Sequence, residues 1–154
     1  MEKQRRGKRL LILAGVLAVA AAGVFAAVDR SNIKYQFPMW LEAAEQEGVP
    51  EVTITLDRID FGAGSGDTAQ DAVHVTLHSA VDNLCIGVGC RVDYFSGGAW
   101  YTVYTPNGVP DIGRILGGPG EIPLEYNVPA GLFRQKGQYR FYVDTLGYCE
   151  ISIK

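Results

Sequence analysis

A chain of 154 residues with 47% hydrophobic side chains can build one ordinary domain with its own core and little else. Charge is unevenly placed: residues 1–9 hold Lys3, Arg5, Arg6, Lys8 and Arg9 against Glu2, a net of +4, so with −3 overall and no charge in residues 10–28 the remainder carries −7. Nucleic acid is excluded as a partner of so acidic a remainder, because phosphate affinity requires clustered Lys and Arg.

Residues 10–28 are an unbroken run of Leu, Ile, Val, Ala, Gly and Phe. Rising about 1.5 Å per residue, such a helix spans roughly 28 Å, close to the hydrocarbon thickness of a bilayer. We therefore expect one N-terminal transmembrane helix. The preceding basic residues, a cytoplasmic tail over 1–9, orient it with the amino end inside and the following domain outside, as a single-pass cell-membrane protein. The competing reading is a cleaved signal peptide, since Ala20, Ala21, Ala22, Ala26 and Ala27 offer small residues to a peptidase. Its apolar core would ordinarily be about 7 to 15 residues, shorter than this run. No cysteine directly follows the run to serve as a lipid attachment point.

Residues 29–50 read as a juxtamembrane linker. Pro38 suits a first helical turn and Gly48 a helix end, which predicts a helix of about ten residues between them. Tyr35 and Trp40 are amphipathic rings suited to the headgroup level.

From Glu51 the pattern changes to period two. Val52, Ile54, Leu56 and Ile59 set against Thr53, Thr55 and Asp57 predict a half-buried strand. The glycine-rich stretch from Gly62 to Asp67 lacks the Gly-Lys-Ser/Thr ending of a phosphate cradle and reads as a turn. Val73, Val75 and Leu77, alternating with His74, Thr76 and His78, predict a second strand closed by Asp82 and Asn83. A third covers 88–95, with Val88, Cys90, Val92 and Tyr94 on one face and Arg91, Asp93 and Phe95 on the other. Gly97 and Gly98 turn the chain into a fourth strand from Trp100 to Thr105. The Pro- and Gly-rich stretch 106–120 is unsuited to a long element. Ile122 to Val128 predicts an edge strand because it contains Pro123. Residues 138–145 and 149–153 predict a last hairpin.

About seven short strands without a helix among them indicate an all-β fold, an immunoglobulin-like antiparallel β-sandwich over residues 51–154, with a small barrel as the alternative. The hairpin with Gly87, Val92, Gly98 and Trp100, followed by Pro129, Gly131 and the run Lys136-Gly137-Gln138-Tyr139-Arg140, resembles the bacterial immunoglobulin-like domains of membrane-anchored surface proteins. The resemblance covers about residues 51–154 and rests on short motifs. It implies the sandwich and an extracytoplasmic setting, and it implies no catalytic activity. The three cysteines depart from the family's pattern.

No constellation carries the spacing of a known chemistry, so no catalytic residue, metal ligand or cofactor is expected. His74 and His78, four residues apart on one strand, lie about 13 Å apart, too far to share one ion comfortably. Asp57, Asp60, Asp67, Asp71 and Asp144 match no calcium loop and read as solvated loop charges. Of Trp100, Tyr101, Tyr104, Tyr139, Phe141 and Tyr142, alternation buries half; Tyr101, if Trp100 is buried, and Tyr148 are the candidate binding surface. Cys85, Cys90 and Cys149 are disulfide candidates, expected at one end of the sandwich. Cys85–Cys90 is favoured through folding at Gly87 and Gly89, and Cys85–Cys149 is the rival. The expected function is non-enzymatic, binding another envelope or surface protein or positioning the domain. The alternative is a thiol-dependent redox protein using Cys85 and Cys90, although the redox motif has two intervening residues and here there are four.

Overall fold

The computed structural model describes residues 32–63, 69–107 and 113–154. The chain divides into two compact units, Met1–Gln36 and Phe37–Lys154. In the first, residues 32–36 make a helical turn in which Tyr35 N–H donates to the Asn32 carbonyl at 3.3 Å. The basic tail and the apolar run expected to form the transmembrane helix lie outside the described residues, as do residues 64–67 of the glycine-rich stretch from Gly62 to Asp67. Among the described residues no helix is long and apolar enough to cross a membrane.

The second unit is all-β, as its period-two patterning predicts. Its strands are β1 (Leu41–Glu42), β2 (Val52–Ala63), β3 (Gln70–Ser79), β4 (Leu84–Gly87), β5 (Cys90–Ser96), β6 (Ala99–Tyr104), β7 (Gly113–Leu116), β8 (Gly120–Pro129), β9 (Gly137–Val143) and β10 (Gly147–Ile153). They form a five-stranded sheet ordered β1-β6-β5-β9-β10, a three-stranded sheet ordered β2-β3-β8, and a ribbon of β4 with β7, and every pairing is antiparallel. Pro123 falls in β8, at the edge of its sheet, where a residue without an N–H is tolerated.

Alternation decides what each strand buries. Along β3, Val73, Val75 and Leu77 are fully buried, while His74, Thr76 and His78 face outward. On β9 Tyr139, Phe141 and Val143 are buried on the inner side, and Tyr142 is buried on the opposite side beneath Arg91. The inner sides of the two larger sheets meet where the Tyr126 and Phe141 rings stand edge to face at 5.4 Å. Each side chain buried this fully contributes about 1.5–3 kcal/mol. Along β2 the pattern slips, because Leu56 pairs with Val75 and Arg58 with His74, leaving Asp57 as the extra residue of a bulge. Asp57 and Arg58 both face solvent, and the shifted parity brings Ile59 to the same side as Ile54 and Leu56.

Asp71 occupies the inward parity of β3 and is 1% exposed. Its carboxylate accepts from Gly62 N–H and from Gly131 N–H, each at 2.9 Å, and so ties the far end of β2 to the β8–β9 turn. Both glycines have positive φ, 67° and 80°, which side chains disfavour. Asp71 is therefore a buried clasp and not the solvated loop charge expected from sequence. Nearby, Tyr139 and Tyr94 donate their hydroxyls to the carbonyls of Gln135 and Lys136 at 2.7 and 3.0 Å, holding the chain that enters β9.

The helix expected between Pro38 and Gly48 does not form. Phe37 is buried against Tyr94 and Tyr139, with ring centroids at 5.1 and 6.4 Å, and Trp40 stacks on Tyr101 at 4.6 Å. Leu41 and Glu42 then pair with Thr102 and Tyr101. A ten-residue helix is marginal alone, whereas the extended chain satisfies its backbone along the free side of β6, buries the Phe37 ring and half-buries that of Trp40. Residues 43–49 continue as a strap over the five-stranded sheet. Ala43 N–H donates to Trp100 O at 3.0 Å and Val49 N–H to Leu146 O at 2.9 Å. Gly48 marks a close approach of two backbones, since a Cβ there would stand 2.6 Å from Leu146 O.

Candidate functional site

The richest chemistry of the second unit lies on the strap-covered face of the five-stranded sheet. Register fixes it. Asp93 sits between Thr102 on β6 and Arg140 on β9, Arg91 opposite Tyr142, Phe95 opposite Trp100, and on the far side Tyr142 faces Tyr148 and Arg140 faces Glu150. Charged and aromatic side chains thus alternate across neighbouring strands. The Arg140 guanidinium lies between two rings, 4.1 Å from the centre of Trp100 and 4.5 Å from that of Tyr148. Arg91 covers Tyr142 at 3.9 Å, and its Nη atoms donate to Gln46 Oε1 and Ala44 O, lacing the strap to the sheet. Gln46 in turn donates to Asp144 O at 2.9 Å.

At the centre of this face Asp93 is wholly buried. Thr102 donates its hydroxyl to Asp93 Oδ1 at 2.8 Å, and Arg91 Nε stands 3.2 Å from the same oxygen. Asp93 Oδ2 has no hydrogen-bond partner among the described residues. Burial pushes this carboxyl above the ordinary aspartate range, against the lowering effects of the Thr102 hydrogen bond and of Arg91 and Arg140. Glu42, Ala43, Ala44, Glu45, Trp100 and Arg140 are among the walls of a pocket of about 210 Å³ that Asp93 also lines.

The sequence candidates distribute differently. Tyr148 is 37% exposed and joins the aromatic–arginine cluster. Tyr101 lies on the side of Tyr94, its pairing partner, and is covered by Trp40, whereas Trp100 takes the outer face. The parity of β6 is thus the reverse of the one that offered Tyr101 as surface. The β5 and β9 patterns Arg91-x-Asp93-x-Phe95 and Arg140-x-Tyr142 carried the signal for this face, because charges at alternate positions of inner strands require a polar side.

The three thiols are free, and no pair stands at disulfide distance. Cys90 and Cys149 lie on strands flanking β9, about 9.6 Å apart from strand spacing alone, beyond the roughly 6.8 Å a disulfide allows. The favoured Cys85–Cys90 bond does not form either. Cys85 is exposed between the buried Leu84 and Ile86, with its sulfur against Gly113, while Cys90 is buried. Burial pushes the Cys90 thiol up to about 11 and the Cys149 thiol up to about 12. Cys90 lines a larger groove, of about 480 Å³, with Ile86, Val88, Tyr104, Leu124 and Tyr126.

On the outer side of the three-stranded sheet the histidines face carboxylates. His74 Nε2 lies 2.9 Å from Asp60 Oδ2, and His78 Nδ1 lies 3.0 Å from Glu121 Oε1. The Arg58 hydrogen bond, with His74 adding to it, holds the Asp60 carboxyl below the usual aspartate range. Among the described residues no three His, Cys, Asp or Glu side chains are grouped to hold a metal ion. In comparisons with protein-family models, curated proteins and solved structures, none matches this chain.

Proposed function

We propose that the protein is a single-pass, membrane-anchored module whose extracytoplasmic domain has an immunoglobulin-like sandwich fold, akin to bacterial surface domains of that kind, and binds another envelope or surface protein without catalysis. The sandwich reading is supported by strand order, since β2, β3 and β8 share one sheet while β6, β5, β9 and β10 share another, a Greek-key pattern of crossings. The Tyr139 hydroxyl reaching back to Gln135 O near the start of β9 fits the tyrosine corner of such folds. The membrane reading is supported by the apolar run of residues 10–28 and its basic flank.

The observation that carries the binding reading is the cluster of Phe95, Trp100, Arg140 and Tyr148 on one face. Trp, Tyr and Arg are the side chains that dominate interface energetics, and here they are preorganised by mutual stacking. A thiol-dependent role for Cys85 and Cys90 has less support, because Cys90 is buried and its thiol is raised to about 11.

Photo-crosslinking in intact cells tests the binding reading. A photoreactive residue replacing Tyr148 in the full chain should give a discrete protein adduct that Trp100→Ala diminishes. The same residue replacing Asn127, exposed on β8, should give none. No adduct from position 148, or the same adduct from both positions, would refute it.

A further inference from the structure

The pocket beneath the strap has a definite chemical bias. Glu42, Glu45, Asp93 and Glu150 stand in or beside it against Arg91 and Arg140, a net of −2. Both guanidinium groups are already engaged. Arg91 lies over Tyr142 and donates to the strap, and Arg140 lies between Trp100 and Tyr148 with Glu150 Oε1 at 3.6 Å. The two Nε atoms make no hydrogen bond, but each already stands in an ion pair, with Asp93 Oδ1 at 3.2 Å and Glu150 Oε1 at 3.6 Å; the buried acceptor left without a hydrogen-bond partner among the described residues is Asp93 Oδ2, on a side chain 1% exposed. A buried carboxylate oxygen calls for a donor, and a site of net negative charge favours a cationic one. The remaining walls are small or aromatic, including Ala43, Ala44, Ala99, Trp100 and Tyr142, which suit methylene groups and offer no further charge. We propose that this pocket receives a primary ammonium group carried on an alkyl stem, either a free amine or the lysine side chain of a protein docked on the same face.

An ammonium fits better than a guanidinium here. It is a compact point charge with three donors, and its flexible stem can pass the small strap residues to reach a single recessed oxygen, whereas the planar fork of arginine is matched to two exposed oxygens. Contact with Asp93 Oδ2 requires a small outward movement of its cover, because that oxygen has essentially no accessible surface in the unliganded protein. The strap supplies that freedom. Its residues 43–49 are held by a few hydrogen bonds and by no sheet ladder.

The lysine version rests on the binding face proposed above, while the amine site stands without it, and the test separates the two. The full chain in detergent micelles, carrying Trp40→Phe so that Trp100 alone reports, is titrated with n-butylamine and separately with Nα-acetyl-lysine methylamide. Either probe should change Trp100 emission saturably, with a dissociation constant on the order of millimolar. Asp93→Asn should weaken it by about tenfold or more, as expected for losing a charged hydrogen-bond partner. Binding by butylamine alone identifies a free-amine site, and equal or tighter binding of the blocked lysine identifies a lysine receptor. Should Asp93→Asn not fold, Ala44→Phe, a replacement at an exposed wall position that adds no second tryptophan, should block the pocket and abolish the response. The proposal is overturned if neither probe saturates, if n-butanol or the Nε-acetylated lysine binds as well, or if the pocket variants titrate like the parent. Failure here with a Tyr148 adduct in cells would leave the binding face standing and remove only the ammonium site.

Discussion

Replacing Asp71 tests the account of the core most directly, because sequence pattern and structure assign this residue opposite roles. A solvated loop aspartate can be changed at a cost within about 0.5 kcal/mol. The buried clasp cannot, since Asp71→Ala removes the acceptor of two backbone N–H groups at 2.9 Å. A hydrogen bond to a charged group contributes about 1.5–3 kcal/mol, so two would give about 3–6. Part is returned, because an expensive buried carboxylate is no longer desolvated and because Gly62 lies near enough to the surface for water to replace its bond. The net expectation is about 2–4 kcal/mol. Asp71→Asn keeps one acceptor oxygen but turns an amide donor toward the second glycine N–H, for a cost of about 2 kcal/mol. At roughly 4 °C per kcal/mol for a domain of this size, the alanine variant should melt about 8–16 °C below the parent. Denaturation of the full chain followed by tryptophan fluorescence reads both values, with Asp57→Ala at the β2 bulge as a surface control. An Asp71→Ala variant within about 0.5 kcal/mol of the parent would refute the clasp.

In native protein, a membrane-impermeant maleimide should modify Cys85 alone, and denaturant should expose two further thiols. Rapid native labelling of Cys90 or Cys149, or a disulfide in the non-reduced mass, would contradict their burial. Gly48→Ala places a Cβ 2.6 Å from Leu146 O and should cost about 1–3 kcal/mol, with faster amide exchange at Val49; an unchanged midpoint would show that the strap does not lie so close. The Asp93 carboxyl is raised by burial, so the folded state binds its proton at pH values where the unfolded chain has released it. Stability contributed by the protonated form is therefore lost as pH rises above about 3.8 through the raised folded value. Melting of the parent relative to Asp93→Asn should show the parent's advantage shrinking as pH rises across that window, and an advantage that grows with pH would reverse the assignment.

The strands of the core were legible because a two-residue period is a local property. Val73, Val75 and Leu77 announce β3, Tyr139 and Phe141 announce the inner side of β9, and Pro123 announces an edge. Extending the β3 parity by one step would also have placed Asp71 inward, but the carboxylate obscured a pattern that its hydrophobic neighbours made plain. What local pattern could not give was anything set by partners distant in sequence. Pro38 and Gly48 satisfy helix rules, yet Phe37 and Trp40 answer to Tyr94, Tyr101 and Tyr139, which lie more than fifty residues away. The bulge at Asp57 and the register of β6 likewise depend on pairing, and a one-residue slip exchanges the faces of every side chain beyond it. Tyr101 was a candidate surface only if Trp100 was buried, and the pairing of Trp100 with Phe95 and of Tyr101 with Tyr94 decides that condition the other way. The pocket depends on the strap and on the register of β6 together, since its floor comes from β5 and β9 and its walls from the strap and the start of β6.

The lacing of residues 37–49 also gives the domain a mechanical character. A pull on the chain at residue 36 would meet the Phe37 plug first, then the Trp40 stack, then the two-residue ladder of β1, and only afterwards the hydrogen bonds of the strap. Because β1 lies along the edge of its sheet, its bonds would break in sequence, as in peeling, and not together. The inner strands β5 and β9 would keep their partners while the segment yielded. Glu42, Ala43, Ala44 and Glu45 travel with that segment, so tension arriving from the amino end would lift one wall of the Asp93 pocket while its floor stayed in place.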